Sequence, residues 1–141
     1  RLVGSEMCIR DRAEAIVYGR LPLMITENCL VQNETGCRLD RQGPCVPEDG
    51  PCRCGQPNVL VDRTGAAFPL LPAYGHRTEI QNSKPLYLAD RPEHRRLGLA
   101  YARLRFTTET AEECVSVVQN YLDAAPAAGD FTRGLYERGV E

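Results

Sequence analysis

Five of the chain's seven cysteines lie within one short segment. The segment runs from Glu27 to Cys54 and reads ENCLVQNETGCRLDRQGPCVPEDGPCRC. Clustered thiols predict one of three chemistries, which are disulfide bonds, a structural zinc ion or an iron–sulfur cluster. The other two cysteines, Cys8 and Cys114, lie far from this segment and need separate explanations.

The spacing of the clustered cysteines leaves all three chemistries open. The intervals are C-x7-C, C-x7-C, C-x6-C and C-x-C, through Cys29, Cys37, Cys45, Cys52 and Cys54. An odd number of cysteines is unusual for a disulfide framework. Structural zinc sites usually contain close C-x2-C pairs, and the chain has none. Iron–sulfur clusters accept more varied spacing, and an unliganded cysteine-rich loop also stays open at this point.

The composition is typical of one soluble domain. The chain has 141 residues, a formal charge of −2, 43% hydrophobic residues and 26% charged residues. Its apolar runs are far shorter than the roughly 20 residues that cross a bilayer, so we expect no membrane partner and a cytoplasmic location. The slight acidity gives no basic surface for nucleic acid, although a larger protein could supply one elsewhere.

The first twelve residues do not fit the rest of the sequence. The stretch LVGSEMCIRD resembles a translated sequencing adapter, in which atg tgt ata aga gac encodes Met7 to Asp11. Such scars are excluded from reasoning about a fold. We therefore set aside residues 1–12 together with Cys8, and we expect the remainder to be a fragment of a longer protein.

Short strands are predicted on both sides of the cysteine segment. Ala13–Gly19 is apolar and β-prone, and residues 58–71 predict a hairpin around a turn at Arg63–Ala66. His76–Asp90 predicts a second hairpin that turns at residues 82–83, and Gly98–Phe106 alternates like a half-buried strand. The segment from Cys29 to Pro57 is rich in Gly and Pro and shows no period. Its order must therefore come from something other than a hydrophobic core.

The clearest element is a helix from Ala111 to Ala124. Thr110 and Glu113 have the spacing of a capping box. Apolar residues then recur at helical spacing, at Cys114, Val117, Val118, Tyr121 and Leu122. Since Cys114 lies on this stripe, we interpret it as a small core residue rather than a ligand.

Strand, loop, two hairpins, strand and helix predict an α/β fold. A complete eight-stranded α/β barrel needs about 250 residues, so this chain has too few strands to close one. No serine triad, HExxH motif, phosphate-binding glycine loop or paired-carboxylate site is present in the sequence. Asp62 and Arg63 fit a turn cap better than a catalytic pair, and His94 fits a solvated loop.

Five segments of the sequence resemble, in order, the C-terminal half of peptidase family U32, the collagenase-like proteases. The segments are YGRLPLMITENC (Tyr18–Cys29), LVDRTGAAFPL (Leu60–Leu70), RTEIQNSKPLYLAD (Arg77–Asp90), RLRFTTE (Arg103–Glu109) and FTRGLYERGVE (Phe131–Glu141). The resemblance covers nearly all of residues 13–141. Several motifs in the same order are more specific than any one of them.

The resemblance implies a TIM-type barrel with a cysteine-bearing insertion. Residues 13–141 would then be the C-terminal part, with a cysteine-rich insertion at about 29–57, hairpins at about 58–90, and a strand and helix at about 98–124. The partner would be the missing N-terminal barrel of the same protein. Family members are catalogued as peptidases, while other relatives are oxygen-independent hydroxylases of RNA bases or of the ubiquinone ring. These relatives carry a four-iron four-sulfur cluster on four cysteines.

Carried over to this chain, the resemblance implies a set of cluster ligands. Cys29 and Cys37 match the first two ligands, and Cys54 is our choice for the third, with Cys52 as the alternative. His76, in YGHRTEI, stands where the family normally has its fourth cysteine. Imidazole can ligate iron and raises the reduction potential, as in Rieske centres. Cys45 or Cys52 could replace the missing thiolate instead, or no cluster forms.

The sequence therefore predicts three alternative functions. The first is a U32-type endopeptidase that acts on protein or peptide. The second is an iron–sulfur hydroxylase that acts on RNA or on a quinone-type ring, and this function gives the clustered thiols a task. The third is a non-catalytic interaction module whose cysteine loop is held by zinc.

Overall fold

The computed structural model describes residues 13–35, 56–91, 96 and 99–134, without the side chains of residues 33 and 35. Cys37, Cys45, Cys52, Cys54 and His94 lie outside these ranges. The elements in chain order are β1 (Glu14–Gly19), β2 (Pro22–Thr26), α1 (Leu30–Thr35), β3 (Asn58–Val61), β4 (Ala67–Ala73), β5 (Arg77–Gln81), β6 (Leu86–Tyr87), β7 (Tyr101–Leu104) and α2 (Ala111–Leu122).

The chain divides into two units, each with its own sheet. The mixed unit comprises Arg1–Arg20 and Lys84–Glu141, and the antiparallel unit comprises Leu21–Ser83. The mixed unit has a three-stranded sheet in the order β6-β1-β7, with β7 parallel and β6 antiparallel to β1. The antiparallel unit has a four-stranded sheet in the order β2-β5-β4-β3. Helices and sheets together confirm a mixed α/β fold, and the described residues form no closed barrel.

Aromatic rings fill the core of the mixed unit. Tyr18 packs against Tyr87, Phe106 and Tyr121 at ring-centre distances of 5.5 to 6.4 Å. The phenol of Tyr121 donates to the Val17 carbonyl and accepts the Leu88 amide at 2.8 Å. A buried phenol must find such partners. These two bonds consequently attach α2 to the sheet.

The helix α2 confirms the predicted capping box. The Thr110 hydroxyl accepts the Glu113 amide, and the Glu113 carboxylate accepts the Thr110 amide at 2.7 Å. The helix ends at Leu122, before the predicted Ala124, which takes a left-handed φ of 51°. Left-handed backbone cannot continue a right-handed helix.

The buried side of α2 is narrower than the sequence predicts. Val117 is buried, and Cys114 and Tyr121 are half-buried. Val118 and Leu122, predicted on the same stripe, are exposed. The predicted strand Gly98–Phe106 is likewise shorter, and only Leu104 and Phe106 of its predicted inner face pack against the core. In the sheet that the described residues form, β7 is an edge strand with a neighbour on one side.

The first predicted hairpin is confirmed in the antiparallel unit. β3 and β4 pair with Val61 opposite Ala67. One oxygen of Asp62 accepts the Thr64 amide at 2.7 Å, the Thr64 hydroxyl at 2.6 Å and the Ala66 amide at 3.0 Å. These hydrogen bonds, first that from the Thr64 hydroxyl, lower the pKa of Asp62. Asp62 therefore acts as the predicted turn cap.

The second predicted hairpin, His76–Asp90, is wrong. β5 pairs with β4 and β2, whereas β6 pairs with β1 in the other unit. The Asn82 amide donates to the Leu21 carbonyl at 2.8 Å, which keeps the chain alongside β2 instead of turning it back on β5. Two other elements appear that the sequence did not predict, namely β2 and the short helix α1. No helix among the described residues is long and apolar enough to span a membrane.

Gly19 is predicted to tolerate no side chain. Its φ is 116°, and an added Cβ would lie 2.0 Å from the Arg105 carbonyl oxygen. Gly19→Ala should cost more than about 3 kcal/mol, since a strained φ adds to a clash with backbone. Gly65→Ala is the control, with a φ of 86° and open space, and should cost about 1 to 2 kcal/mol. If urea denaturation showed that both variants lose the same free energy of unfolding, the close approach at Gly19 would be contradicted.

The ion pair between Asp90 and Arg133 is predicted to stabilise the mixed unit. Its two bonds are 2.6 and 2.7 Å long, and its side chains are 25% and 16% exposed. The hydrogen bond from Arg133 lowers the pKa of Asp90. The stabilisation is therefore present above the unfolded pKa of about 3.9 and is lost as the pH falls through the folded value.

Asp90→Asn should lower the free energy of unfolding by about 1 to 2 kcal/mol at pH 7. The loss is modest because the pair is partly exposed and water screens it. Urea denaturation at pH 7 and at lower pH measures the loss, which should shrink on acidification. Asp130→Asn is the matched control, because Asp130 meets Lys84 at 3.5 Å and is 87% exposed. An equal effect of the two substitutions would rule out a special role for the pair.

Candidate functional sites

A cavity in the antiparallel unit brings together two of the predicted ligands. Its volume is about 270 Å³. Cys29 and His76, which come from distant parts of the sequence, both line it. Apolar residues of α1 and β4 form much of the remaining wall, and they are Val31, Leu70, Leu71, Pro72 and Ala73. We call this space the Cys29–His76 cavity.

Cys29 is held in place by a threonine on the neighbouring strand. The hydroxyl of Thr78 donates to the Asn28 carbonyl at 3.1 Å and accepts the Leu30 amide at 3.0 Å. Cys29 lies between these two peptide groups and is 5% exposed, while Thr78 is 3% exposed. One buried hydroxyl therefore fixes the backbone on both sides of the thiol.

His76 reaches the cavity from a tight turn. Residues 74–76 connect β4 to β5, and Ala73 lies opposite Arg77 in the register. Gly75 and His76 both have positive φ, at 73° and 60°. A left-handed histidine is uncommon, and such strain clusters at sites where a side chain must point in one direction. The turn therefore places the half-buried imidazole on the cavity wall.

The donor set of this cavity suits a thiolate-binding metal. Thiolate and imidazole are ligands of zinc and of iron–sulfur centres, and an apolar wall limits the access of water. The other predicted ligands, Cys37, Cys54, Cys52 and Cys45, lie outside the described residues. Within the described ranges no three His, Cys, Asp or Glu residues form a group that could hold a metal. Of the described cysteines, neither Cys29 nor Cys114 is in a disulfide.

The mixed unit contains a second cavity, which we call the strand-end cleft. Its volume is about 440 Å³. It lies where the parallel strands β1 and β7 end, and its walls come from the residues just after them and from the first turns of α2. The lining residues include Tyr18, Arg20, Glu109, Glu113 and Ser116.

Hydrogen bonds fix the acidic wall of the strand-end cleft. The carboxylate of Glu109 accepts the Thr107 amide at 2.7 Å and the Thr108 amide at 3.0 Å. The phenol of Tyr18 donates to the same carboxylate at 3.3 Å. Burial first, and then the charge of Glu109, raises the pKa of Tyr18, so its hydroxyl keeps its proton. Arg20 donates to the Thr108 hydroxyl at 3.4 Å.

Sequence reasoning missed this cleft because its residues form no recognised catalytic spacing. Tyr18 and Arg20 come from the start of the chain, and Glu109 comes from the connection before α2. These three residues lie in the two segments YGRLPLMITENC and RLRFTTE, which both belong to the family resemblance. Parallel pairing of β1 with β7 is what joins them.

Thr78→Val should loosen the segment that carries Cys29. The substitution keeps the shape of the side chain but removes both hydrogen bonds. The Asn28 carbonyl keeps the Thr26 hydroxyl as a donor, so the Leu30 amide alone loses its partner, at a cost of about 1 to 2 kcal/mol of stability. Alkylation of Cys29 in metal-free protein, followed by peptide mass spectrometry, should become faster. Thr26→Val is the control, because its exposed hydroxyl donates only to the Asn28 carbonyl. A similar alkylation rate in both variants would refute the role given to Thr78.

Comparison with known proteins assigns no family to this chain. No protein-family model, no curated protein and no solved structure matches it. Any functional conclusion therefore depends on the residues themselves and on the two cavities that they line.

Proposed function

We propose that this chain is the C-terminal part of a U32-family, collagenase-like protein whose antiparallel unit binds an iron–sulfur cluster of the four-iron four-sulfur type. Cys29 and His76 are two of the ligands. One observation carries this proposal, namely that a buried thiol and an imidazole distant in sequence line the same cavity. The remaining ligands come from Cys37 and Cys54, with Cys52 and Cys45 as alternates.

The burial of Cys29 favours a ligand over a nucleophile. A peptidase could in principle use a cysteine activated by a histidine base. Reactive cysteines, however, are partly exposed so that substrate can reach them. Cys29 is only 5% exposed, and its position is fixed on both sides by Thr78. A rigid, shielded thiol is suited to metal ligation.

The surrounding residues define what the unit contributes to such a centre. Val31 and Leu70 line the cavity beside Cys29 and His76, and an apolar surrounding of this kind tunes a reduction potential. A neutral imidazole from His76 in place of a thiolate makes the set less negative, which raises the potential. When bound, the cluster supplies one-electron transfer. The protein positions the cluster and sets the dielectric and the charge of its surroundings.

Contacts between the resembling segments support the family assignment. Tyr18 of the first segment bonds to Glu109 of RLRFTTE. Asp90, the last residue of RTEIQNSKPLYLAD, pairs with Arg133 of FTRGLYERGVE. A strand parallel to its neighbour and followed by a helix, as β7 and α2 are, is also the repeating unit of a TIM-type barrel, whereas the antiparallel β6 is not part of that pattern. These contacts lie within the mixed unit and join parts of four of the resembling segments, and the N-terminal barrel is the proposed partner.

An oxygen-independent hydroxylase is the second candidate function. A redox centre at Cys29 and His76 has a direct task in hydroxylating an RNA base or a quinone-type ring. Proteolysis would require a nucleophile with its base or a water-activating metal. A zinc-clipped interaction module is the third reading, since the same residue types also bind zinc in closed tetrahedral sites.

Metal analysis of the anaerobically purified 141-residue chain separates these functions. After reconstitution we expect about four iron and about four sulfide per chain, with a brown colour. Cys29→Ser should lose most of the iron. Cys114→Ser is the matched control, because Cys114 lies on α2 in the mixed unit, and should keep it. Stoichiometric zinc would favour the module, and cleavage of gelatin without metal would favour a peptidase of another mechanism.

The ligand role of His76 has a separate test. His76→Cys should retain the cluster and lower its reduction potential, because a thiolate replaces a neutral ligand. His76→Ala should lose cluster content. Spectroelectrochemical titration measures the potential, and iron analysis measures the content. Unchanged iron and potential in both variants would exclude His76 and transfer the fourth position to Cys45 or Cys52.

A further inference from the structure

The strand-end cleft has the position and size of a ligand site. In α/β sheets, ligands bind at the carboxyl ends of parallel strands, where loops of different strands meet. The cleft lies at this end of β1 and β7, and its volume of about 440 Å³ is within the range of small-ligand pockets. Val117 and Pro85 supply apolar wall beside the polar groups.

One buried polar group in the cleft is poorly satisfied. Tyr18 is 7% exposed, and its hydroxyl donates to Glu109 at 3.3 Å. Hydrogen bonds between two oxygens are normally 2.5 to 3.0 Å long, so this bond is weak. Long hydrogen bonds in a ligand-free site commonly tighten or exchange when a ligand binds. The phenol has one proton, so an incoming acceptor would receive it in exchange for this long bond to Glu109.

Glu109 provides an acceptor beside that donor. Backbone amides of Thr107 and Thr108 hold one carboxylate oxygen, Oε2, at 2.7 and 3.0 Å. Within the described ranges, the other oxygen, Oε1, accepts the long bond from Tyr18 and no second one. A carboxylate oxygen can accept two hydrogen bonds, so Oε1 retains capacity. A rigid acceptor and a protonated donor therefore lie 3.3 Å apart on one wall.

This pair is complementary to a group that carries a carbonyl oxygen and an N–H on the same edge. We infer that the strand-end cleft binds a primary carboxamide, with the Tyr18 hydroxyl donating to the carbonyl oxygen and Glu109 Oε1 accepting from the amide nitrogen. A trans peptide group presents these atoms on opposite edges and fits less well. The side chains of Asn and Gln present them together.

The charges around the cleft favour a peptide as the source of the carboxamide. Glu109 and Glu113 line it, with Arg20 as the opposing charge. Glu112 adds a further carboxylate in the first turn of α2. A nucleic acid would bring phosphates towards this acidic wall, although a pyrimidine ring carries the same amide edge. The inference deepens the proposed function by naming a substrate group, and it rests on that function only for the choice of peptide.

Binding of a small amide to the full 141-residue chain tests the inference. The probe is N-acetyl-glutamine N-methylamide, titrated into ¹⁵N-labelled protein while the amide signals of Thr108, Glu109 and Glu113 are followed by NMR. We expect saturable shifts at these residues. Tyr18→Phe should weaken binding of the probe about tenfold, since it removes one buried hydrogen bond. Tyr101→Phe removes an exposed hydroxyl from β7 and should leave binding unchanged.

A second variant and two further probes keep the test decisive. Ser116 lies on the exposed side of α2 and lines the cleft, so Ser116→Leu should block binding without disturbing the core. The glutamate counterpart of the probe lacks the N–H and adds a charge, so it should not bind. Equal binding by the parent, Tyr18→Phe and Ser116→Leu would overturn the inference. Tighter binding of uridine than of the glutamine probe would overturn the peptide source.

The outcome is distinguishable from failure of the metal proposal. The probe reports on the mixed unit, and iron analysis reports on the antiparallel unit. A chain without iron that still binds the carboxamide would refute the cluster and retain the cleft. A chain that contains iron but does not bind the probe would refute the cleft and retain the cluster.

Discussion

The mixed unit depends on one close approach between two parallel strands. At the end of β1, Gly19 lies so near the Arg105 carbonyl that a Cβ would be 2.0 Å from its oxygen. The Arg105 amide donates to the Tyr18 carbonyl at 2.9 Å, and its guanidinium donates to the Arg20 carbonyl at 2.8 Å. Backbone contact of this kind requires glycine. Because the strands meet here, Tyr18 and Arg20 reach Glu109 and Thr108, and the strand-end cleft is a consequence of the pairing.

Local signals were sufficient for some elements of the fold. The capping box of Thr110 and Glu113 and the Asp62 turn involve residues that are close in sequence, so their chemistry can be recognised without a structure. Pairing between distant strands cannot be recognised in this way. The segment from His76 to Asp90 looked like a hairpin, but its two strands have better partners in different sheets. The composition of the loop between these strands carries no information about which other strands they will pair with.

The two cavities also differ in how far they could be predicted from the sequence. Cys29 was predicted as a ligand from the cysteine cluster and a family resemblance, whereas His76 was predicted from the resemblance alone. The fold brings both to one cavity. Tyr18 and Glu109 have common residue types, and only the register of β1 and β7 puts a buried phenol beside a fixed carboxylate. The exposure of Val118 and Leu122 also follows from what α2 packs against rather than from its own period.

The antiparallel unit leaves many apolar side chains exposed among its described residues. Apolar side chains on its two edge strands are about half exposed or more, among them Leu23, Met24, Ile25, Val59, Leu60 and Val61. Few of this unit's described residues are buried, and Cys29 and Thr78 are among them. A ligand that binds only the folded state adds its binding free energy to stability. Ligands gathered from the α1 side and from the β4–β5 turn would join separate parts of one sheet, as structural metals do in small domains. The proposed cluster would therefore stabilise this unit as well as supply its chemistry.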